Sequence, residues 1–345
     1  MKKTLIALAA FAAVSSFAQS TVTLYGRLDA GYNATTTTNT VGATTTETKS
    51  NGVQNAGLAT NKWGMKGSED LGGGLKANFV LEQSMDVVTG AASGFTRDST
   101  VGVSGNFGEV RFGRSYTPMF NTIGASDVFA TTGATTVNLY PDAVRASSSV
   151  FYTSPNFSGF SAAVMLGRND TGVTTGATSV DQNSDNTGLS ATYAAGPLMV
   201  SVAMGEIKGT AGTTSAKSNG SAVSATYDIG VAKLYGGYTT AKAQSNTAVA
   251  SYDELTELNL GVAVPMGATT LMAAYGRNTA TRTALGNEIG NGSGNDFVVG
   301  ATYAFSKRTS AYAKTGTYNK GDGTMLGASY ATKMTTTALG LVHNF

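Results

Sequence analysis

The chain has 345 residues, of which 13% are charged, about half the share usual for a soluble domain. It has no Cys and a formal net charge of +2, which excludes a disulfide-stapled scaffold and leaves no basic footprint for nucleic acid. With Lys2 and Lys3 set aside, the remaining 21 basic side chains balance 21 acidic ones.

Those two lysines open an export signal. An apolar stretch over residues 5–14 follows, then the small-x-small site Ser16-Phe17-Ala18 before Gln19. The stretch is too short to cross a bilayer as a helix, which needs about 20 residues. Residues 1–18 are therefore expected to be a removed signal peptide, and 19–345 a single domain. No later segment offers an uninterrupted apolar run of helix-spanning length. Crossing a membrane would then require a closed barrel, the other structure that satisfies every backbone group in lipid.

From Val22 onward the pattern has period two. Val22, Leu24, Leu28 and Ala30 alternate with Thr23, Tyr25, Arg27 and Asp29. A strand puts these two sets on opposite faces. The same alternation runs through Leu75–Glu82, Leu189–Tyr193, Val223–Tyr227, Glu257–Val264 and Phe297–Tyr303. Sixteen such segments are predicted, starting near residues 22, 57, 74, 97, 108, 148, 160, 187, 197, 220, 231, 253, 268, 294, 308 and 335. Their connections alternate long and short. The long ones fall near 33–56, 84–96, 115–147, 168–186, 207–219, 241–252, 278–293 and 319–334. The short ones carry turn residues, as in Asp70-Leu71-Gly72-Gly73 and Asp228-Ile229-Gly230. This rhythm predicts an all-β fold, a 16-stranded antiparallel transmembrane barrel with short periplasmic turns and long extracellular loops. A soluble β-sandwich would alternate too, but without that rhythm.

At this point the residues resemble the trimeric general porins of Gram-negative bacteria, of the Neisseria/Burkholderia type. The most specific stretch is Lys62-Trp63-Gly64-Met65-Lys66-Gly67-Ser68-Glu69-Asp70-Leu71-Gly72-Gly73-Gly74-Leu75. Thr23-Leu24-Tyr25-Gly26, Val101-Gly102-Val103-Ser104-Gly105, Ser154-Pro155-Asn156-Phe157 and the turn at Phe305-Ser306-Lys307 are similar too. The resemblance implies passive diffusion of small hydrophilic solutes and inorganic anions through a homotrimer in the outer membrane, among its lipid and lipopolysaccharide. It implies that the third long connection, about 115–147, folds inward as a constriction loop. It also implies that Gly340, His343 and Phe345 form a closing signal read by the barrel assembly machinery. No cofactor or metal is expected.

Parity sorts the charges. An Arg or Lys facing lipid at the midplane costs about 2–4 kcal/mol, so charges within strands should face the lumen. By resemblance, Arg27, Lys76, Arg97, Arg111 and Arg145 are the basic pore wall, opposite Asp127 and Asp142, the only carboxylates of the constriction loop. That loop is otherwise mostly Thr, Ala and aliphatic, without the acidic motif common in the family. Arg97 shares the parity of Val101 and Val103, which points it outward unless a bulge or the rim releases it. Five cations against two loop acids predict weak anion preference, offset in part by Asp29 and Glu82. Trp63, Tyr193, Tyr227, Tyr275, Phe297, Tyr303 and Phe345 fit interfacial aromatic girdles.

Two rival functions can be named. An enzyme would need a nucleophile and a base. The single histidine lies two residues from the C-terminus, and no Gly-x-Ser-x-Gly or His-Glu-x-x-His is present. A solute-specific channel would line its path with aromatics, and Tyr25, Phe151 and Tyr235 form no obvious row.

Overall fold

The computed structural model describes residues 21–55, 57–129, 141–175, 178–212, 214–246, 251–284, 287–325 and 328–345; the expected signal peptide lies outside them. The first strands are β1 (Thr21–Val41), β2 (Thr44–Asn55), β3 (Lys62–Gly72), β4 (Leu75–Ser84), β5 (Asp98–Gly105) and β6 (Gly108–Tyr116). One short helix, α1 (Pro118–Ala125), comes next. Then follow β7 (Arg145–Thr153), β8 (Phe160–Thr175), β9 (Thr178–Ala195), β10 (Leu198–Ala211), β11 (Thr214–Asp228) and β12 (Lys233–Ser245). The chain ends with β13 (Ser251–Met266), β14 (Thr269–Ala284), β15 (Asn287–Ala304), β16 (Thr309–Met325) and β17 (Ala328–Asn344).

Every pairing is antiparallel, and β17 returns to β1 from Arg27↔Asn344 to Val41↔Tyr330, so the sheet closes. Closure removes the unpaired edge. The seventeen strands fill sixteen places around the barrel. The lower part of β1 pairs with β3, from Thr21↔Ser68 to Arg27↔Lys62, and its upper part pairs with β2, from Ala30↔Asn55 to Val41↔Thr44. β2 and β3 are thus two lengths of one stave, interrupted at 56–61.

Alternation places the side chains as parity predicts. Val22, Leu24, Val202, Met204, Leu258 and Leu260 are exposed on the outer face, while Asp29, Asn259 and Ser224 are buried on the inner one. On β10 the outward row reads Val200, Val202 and Met204, then Glu206 and Lys208. The apolar band therefore ends eight residues above the turn, about 20 Å at 3.4 Å per residue and the usual strand tilt. Of the predicted girdle aromatics, Tyr227, Tyr275, Phe297, Tyr303 and Phe345 are exposed, and Trp63 and Tyr193 are half-buried.

Six of the predicted long loops are instead largely strand. β1 and β2 remain paired up to Val41↔Thr44, β8 and β9 to Thr175↔Thr178, and β10 and β11 to Ala211↔Thr214. Above the apolar band both faces meet water, so alternation disappears from the sequence. β-branched Thr still suits the extended backbone, and the ladder continues. Of the other two, residues 85–96, 117–129 and 141–144 lie outside the named strands.

Local chemistry fixes the lower end. In the turn between β3 and β4, Gly72, Gly73 and Gly74 all take positive φ, and the Asp70 carboxylate accepts the Gly72 N–H at 2.8 Å. Gly26 and Phe345 exchange two backbone hydrogen bonds of 3.0 Å each, and a Cβ on Gly26 would lie 2.3 Å from the Phe345 ring. Gly340 is equally confined, between the Tyr312 hydroxyl and the Ala30 carbonyl. His343 Nδ1 hydrogen-bonds the Thr309 hydroxyl at 2.9 Å.

Candidate functional site

The chain leaves the sheet after β6 and turns into the lumen. Thr117 caps α1, its hydroxyl accepting the Phe120 N–H at 3.0 Å and donating to the Ala143 carbonyl at 2.9 Å. The same hydroxyl lies 3.4 Å from Asp142 Oδ1. One residue therefore starts the helix and ties the two ends of the loop together.

The opposite wall receives the loop on a track of glycines. Gly188, Gly205, Gly220, Gly237, Gly261 and Gly300 all lie on the inward parity of β9, β10, β11, β12, β13 and β15. A Cβ on Gly188 would meet Pro118 at 3.1 Å, on Gly205 Asp142 at 2.6 Å, and on Gly220 Pro141 at 2.6 Å. On Gly237 it would meet the Ser126 side chain, on Gly261 Val128 at 3.2 Å, and on Gly300 Phe129 at 3.1 Å. Polar pairs fix the register. The Ser126 hydroxyl lies 3.1 Å from Asn259 Oδ1, Asn259 Nδ2 donates to the Ser126 carbonyl at 2.8 Å, and Ser224 donates to the Thr122 carbonyl at 2.6 Å. The loop thus lies along the β9–β16 side of the lumen, leaving the β1–β7 side facing the gap.

That side carries the cations. Glu82 is buried at its centre and accepts Lys62 Nζ at 2.7 Å, Arg97 Nε at 2.7 Å and the Tyr25 hydroxyl at 3.1 Å. Arg97 Nη2 donates to the Tyr116 hydroxyl at 2.8 Å. The Arg145 guanidinium lies 3.9 Å from the centroid of the Tyr116 ring, which in turn stacks on Phe120 of α1 at 4.5 Å. Arg145 Nε and Nη2 have no hydrogen-bond partner. Arg27 Nε donates to the Thr60 carbonyl at 3.1 Å. Lower down, Lys66 lies over the Tyr25 ring, and Arg111 lies over Phe151 with Glu109 at 3.3 Å.

The placement of the predicted residues differs in four respects. Arg97 faces inward despite its parity, because β5 begins at Asp98 and Arg97 lies before the alternation starts; its N–H donates to the Glu82 carbonyl at 3.1 Å. Lys76 is exposed beside the lower turn, six residues from Glu82, which is about 20 Å along the strand and away from the constriction. Asp127 is 6% exposed, accepts the Phe129 N–H at 2.8 Å and acts electrostatically on Lys314. Asp142 points its Oδ2 at Gly205 with no hydrogen-bond partner, and burial pushes its carboxyl up to about 7. Neither acid is aimed at the basic wall, because both are drawn under the loop by its seating on the glycines.

Asp29 is likewise engaged, taking N–H groups from Leu58 and Ala59 and the Tyr312 hydroxyl. Lys62, Lys66 and the glycine track were not among the predicted site residues. Inward-parity glycines in consecutive strands are the sequence signal that could have found the track. The luminal aromatics form no slide: Phe151 is buried with Ala146 and Met165, while Tyr25 and Tyr235 belong to β1 and β12. Among the described residues, no cluster of three His, Asp or Glu could hold a metal ion.

Comparison with known proteins gives consistent relatives. The profile of a family described as Gram-negative porin matches residues 4–324. The chain is 36% identical to outer membrane porin protein 32 of Delftia acidovorans over 68% of each protein. It is 33% identical to the major outer membrane protein P.IB of Neisseria lactamica over the full length of both. Among solved structures, an anion-selective porin from Comamonas acidovorans superposes with a TM-score of 0.76 at 26% identity, covering 95% of this chain and all of that one.

Proposed function

This chain belongs to the Gram-negative porin family and is a passive channel of the outer membrane rather than an enzyme, and we propose that it is a homotrimer that weakly prefers anions. One observation carries the preference. On the β1–β7 wall, Arg27, Lys62, Lys66, Arg97, Arg111 and Arg145 stand beside Glu82, Asp98 and Glu109, with Asp29 turned into backbone contacts and both loop acids turned away from the gap. An excess of fixed positive charge beside a narrow aqueous path raises the local anion concentration. The solved relative described as anion-selective supports the same reading.

Residues 1–18 act as the export signal in this proposal, and the mature barrel is inserted by the assembly machinery through its last strand. Phe345 and His343 would be read there before Gly340 and Phe345 close against β1. Outer-membrane lipid and lipopolysaccharide surround the apolar band.

Single-channel recording in a planar bilayer, with a salt gradient for the reversal potential, tests the proposal. The expected record has current steps in groups of three, conductance linear in salt, and a reversal potential displaced toward the anion side. A cation-side reversal potential would refute the charge assignment, and single unlinked steps would refute the trimer.

A further inference from the structure

The interruption between β2 and β3 places a short inward segment against the same wall that receives the constriction loop. Asp29, fully buried on β1, accepts the Leu58 N–H at 2.7 Å and the Ala59 N–H at 2.6 Å through Oδ2, and the Tyr312 hydroxyl at 2.8 Å through Oδ1. Asn61 completes the bracket. Its Nδ2 donates to the Asp29 carbonyl at 2.9 Å and to Asn55 Oδ1 at 3.0 Å, and its Oδ1 accepts the Asp29 N–H. Gly31, Gly57 and Gly340 crowd the Tyr312 hydroxyl so closely that any Cβ there would fall within 3 Å of it. The segment is thus fixed to β1 through the side chain and backbone of the buried Asp29.

What it holds out is Leu58. This side chain packs against two clusters at once. One is Ala59, Tyr312, Ala338 and Val342, the wall at the barrel seam. The other is Phe129, Ala274, Val298 and Tyr318, in which Phe129 is the fully buried far end of the described part of the constriction loop. Phe129 is also covered by Lys314 and rests on Gly300. The loop is capped by Thr117 at its origin, seated on glycines along its course, and held at Phe129 in a cluster against which Leu58, from another part of the barrel, also packs.

We propose that the 57–61 segment is a clamp on the constriction loop, with Leu58 the positioning residue and Asp29 acting through it. The clamp sets how steadily the loop holds the pore cross-section. It explains why Asp29, a carboxylate on the luminal parity, is turned into backbone contacts instead of facing ions. The inference rests on the diffusion-channel reading and is independent of the charge preference.

The test is single-channel recording of Leu58→Ala, Phe129→Ala and the double variant in the trimeric, heat-modifiable barrel. Each single variant should raise open-channel current noise several-fold and increase mean conductance, and Leu58→Met should restore both. The double variant should add little to either single one, because both loosen the same cluster. Folded single variants with the noise, conductance and reversal potential of the parent would overturn the clamp. So would fully additive effects in the double variant. If Leu58→Ala does not fold, Phe129→Ala against Leu58→Met supplies the same comparison from the loop side. A parent protein with no channel activity at all would instead refute the diffusion reading.

Discussion

The two sides of the lumen are built to different rules. The β1–β7 wall, whose β4–β7 part uses strands of 8 to 10 residues, points arginines, lysines and carboxylates into the lumen. The β8–β16 wall uses strands of 13 to 18 residues, and its inner face meets the loop with glycines and a few short polar side chains such as Ser224 and Asn259. One wall supplies charge and the other supplies room. The division teaches that selectivity and bore are set by different residues and should respond separately to substitution.

The largest separable effect should come from the charged wall. A unit charge about 5 Å from the ion path is worth about 0.8 kcal/mol in water, a factor near four. Arg27→Gln with Arg145→Gln should therefore lower the anion-to-cation permeability ratio roughly tenfold at low salt, with single-channel conductance changed less. Reversal potentials in a salt gradient measure it, and the effect should shrink as salt is raised. An unchanged ratio would place the ion path elsewhere.

Next comes the wall that supplies room. Gly237→Val puts a Cβ within 3 Å of the Ser126 side chain, and overpacking of that kind costs about 1–3 kcal/mol. The loop should be pushed into the gap, lowering conductance while leaving the permeability ratio nearly fixed. The temperature at which the folded barrel shifts in gel mobility should fall in the same variant. A change in selectivity without a change in conductance would erase the distinction between the walls.

Smaller effects sharpen the picture. Glu82→Gln removes the carboxylate shared by Lys62 and Arg97 and should raise the anion preference by about twofold, read again by reversal potential. Asp142 tests the seat by pH. Its carboxyl is held near 7 in the fold, against an ordinary value of 3.8, so the folded state keeps a proton that the unfolded chain releases. Stability therefore falls as pH rises from about 4 to about 7 and levels off above. Current noise should rise across that window, and Asp142→Asn should make it flat.

Much of this was legible in the residues, for identifiable reasons. Parity puts Arg27 and Arg111 on the luminal face because a lipid-facing charge is so costly, whereas Arg145 reaches Tyr116 across a β7 bulge at Ser147 and Ser148 that breaks the alternation. Parity failed for Arg97, which precedes its strand, and for the hairpin arms around Thr35–Thr40 and Asn183–Asp185, where water on both faces imposes no alternation. The fate of Asp29 and Asp142 depended on Leu58 and Gly205, partners distant in sequence. No spacing rule reports such contacts. The glycine track was visible as composition but acquired meaning only once the loop lay on it.

The hairpins that climb past the apolar band have an evolutionary consequence. Thr40 faces Thr45 near the tip of the first one. Deleting both residues lowers the crown by one rung and leaves every pair beneath in register. Deleting only one slips that arm and turns its outer residues to the opposite face. Cell-surface length and antigenic character can therefore drift by paired insertions and losses, with the conducting part of the molecule screened from the change.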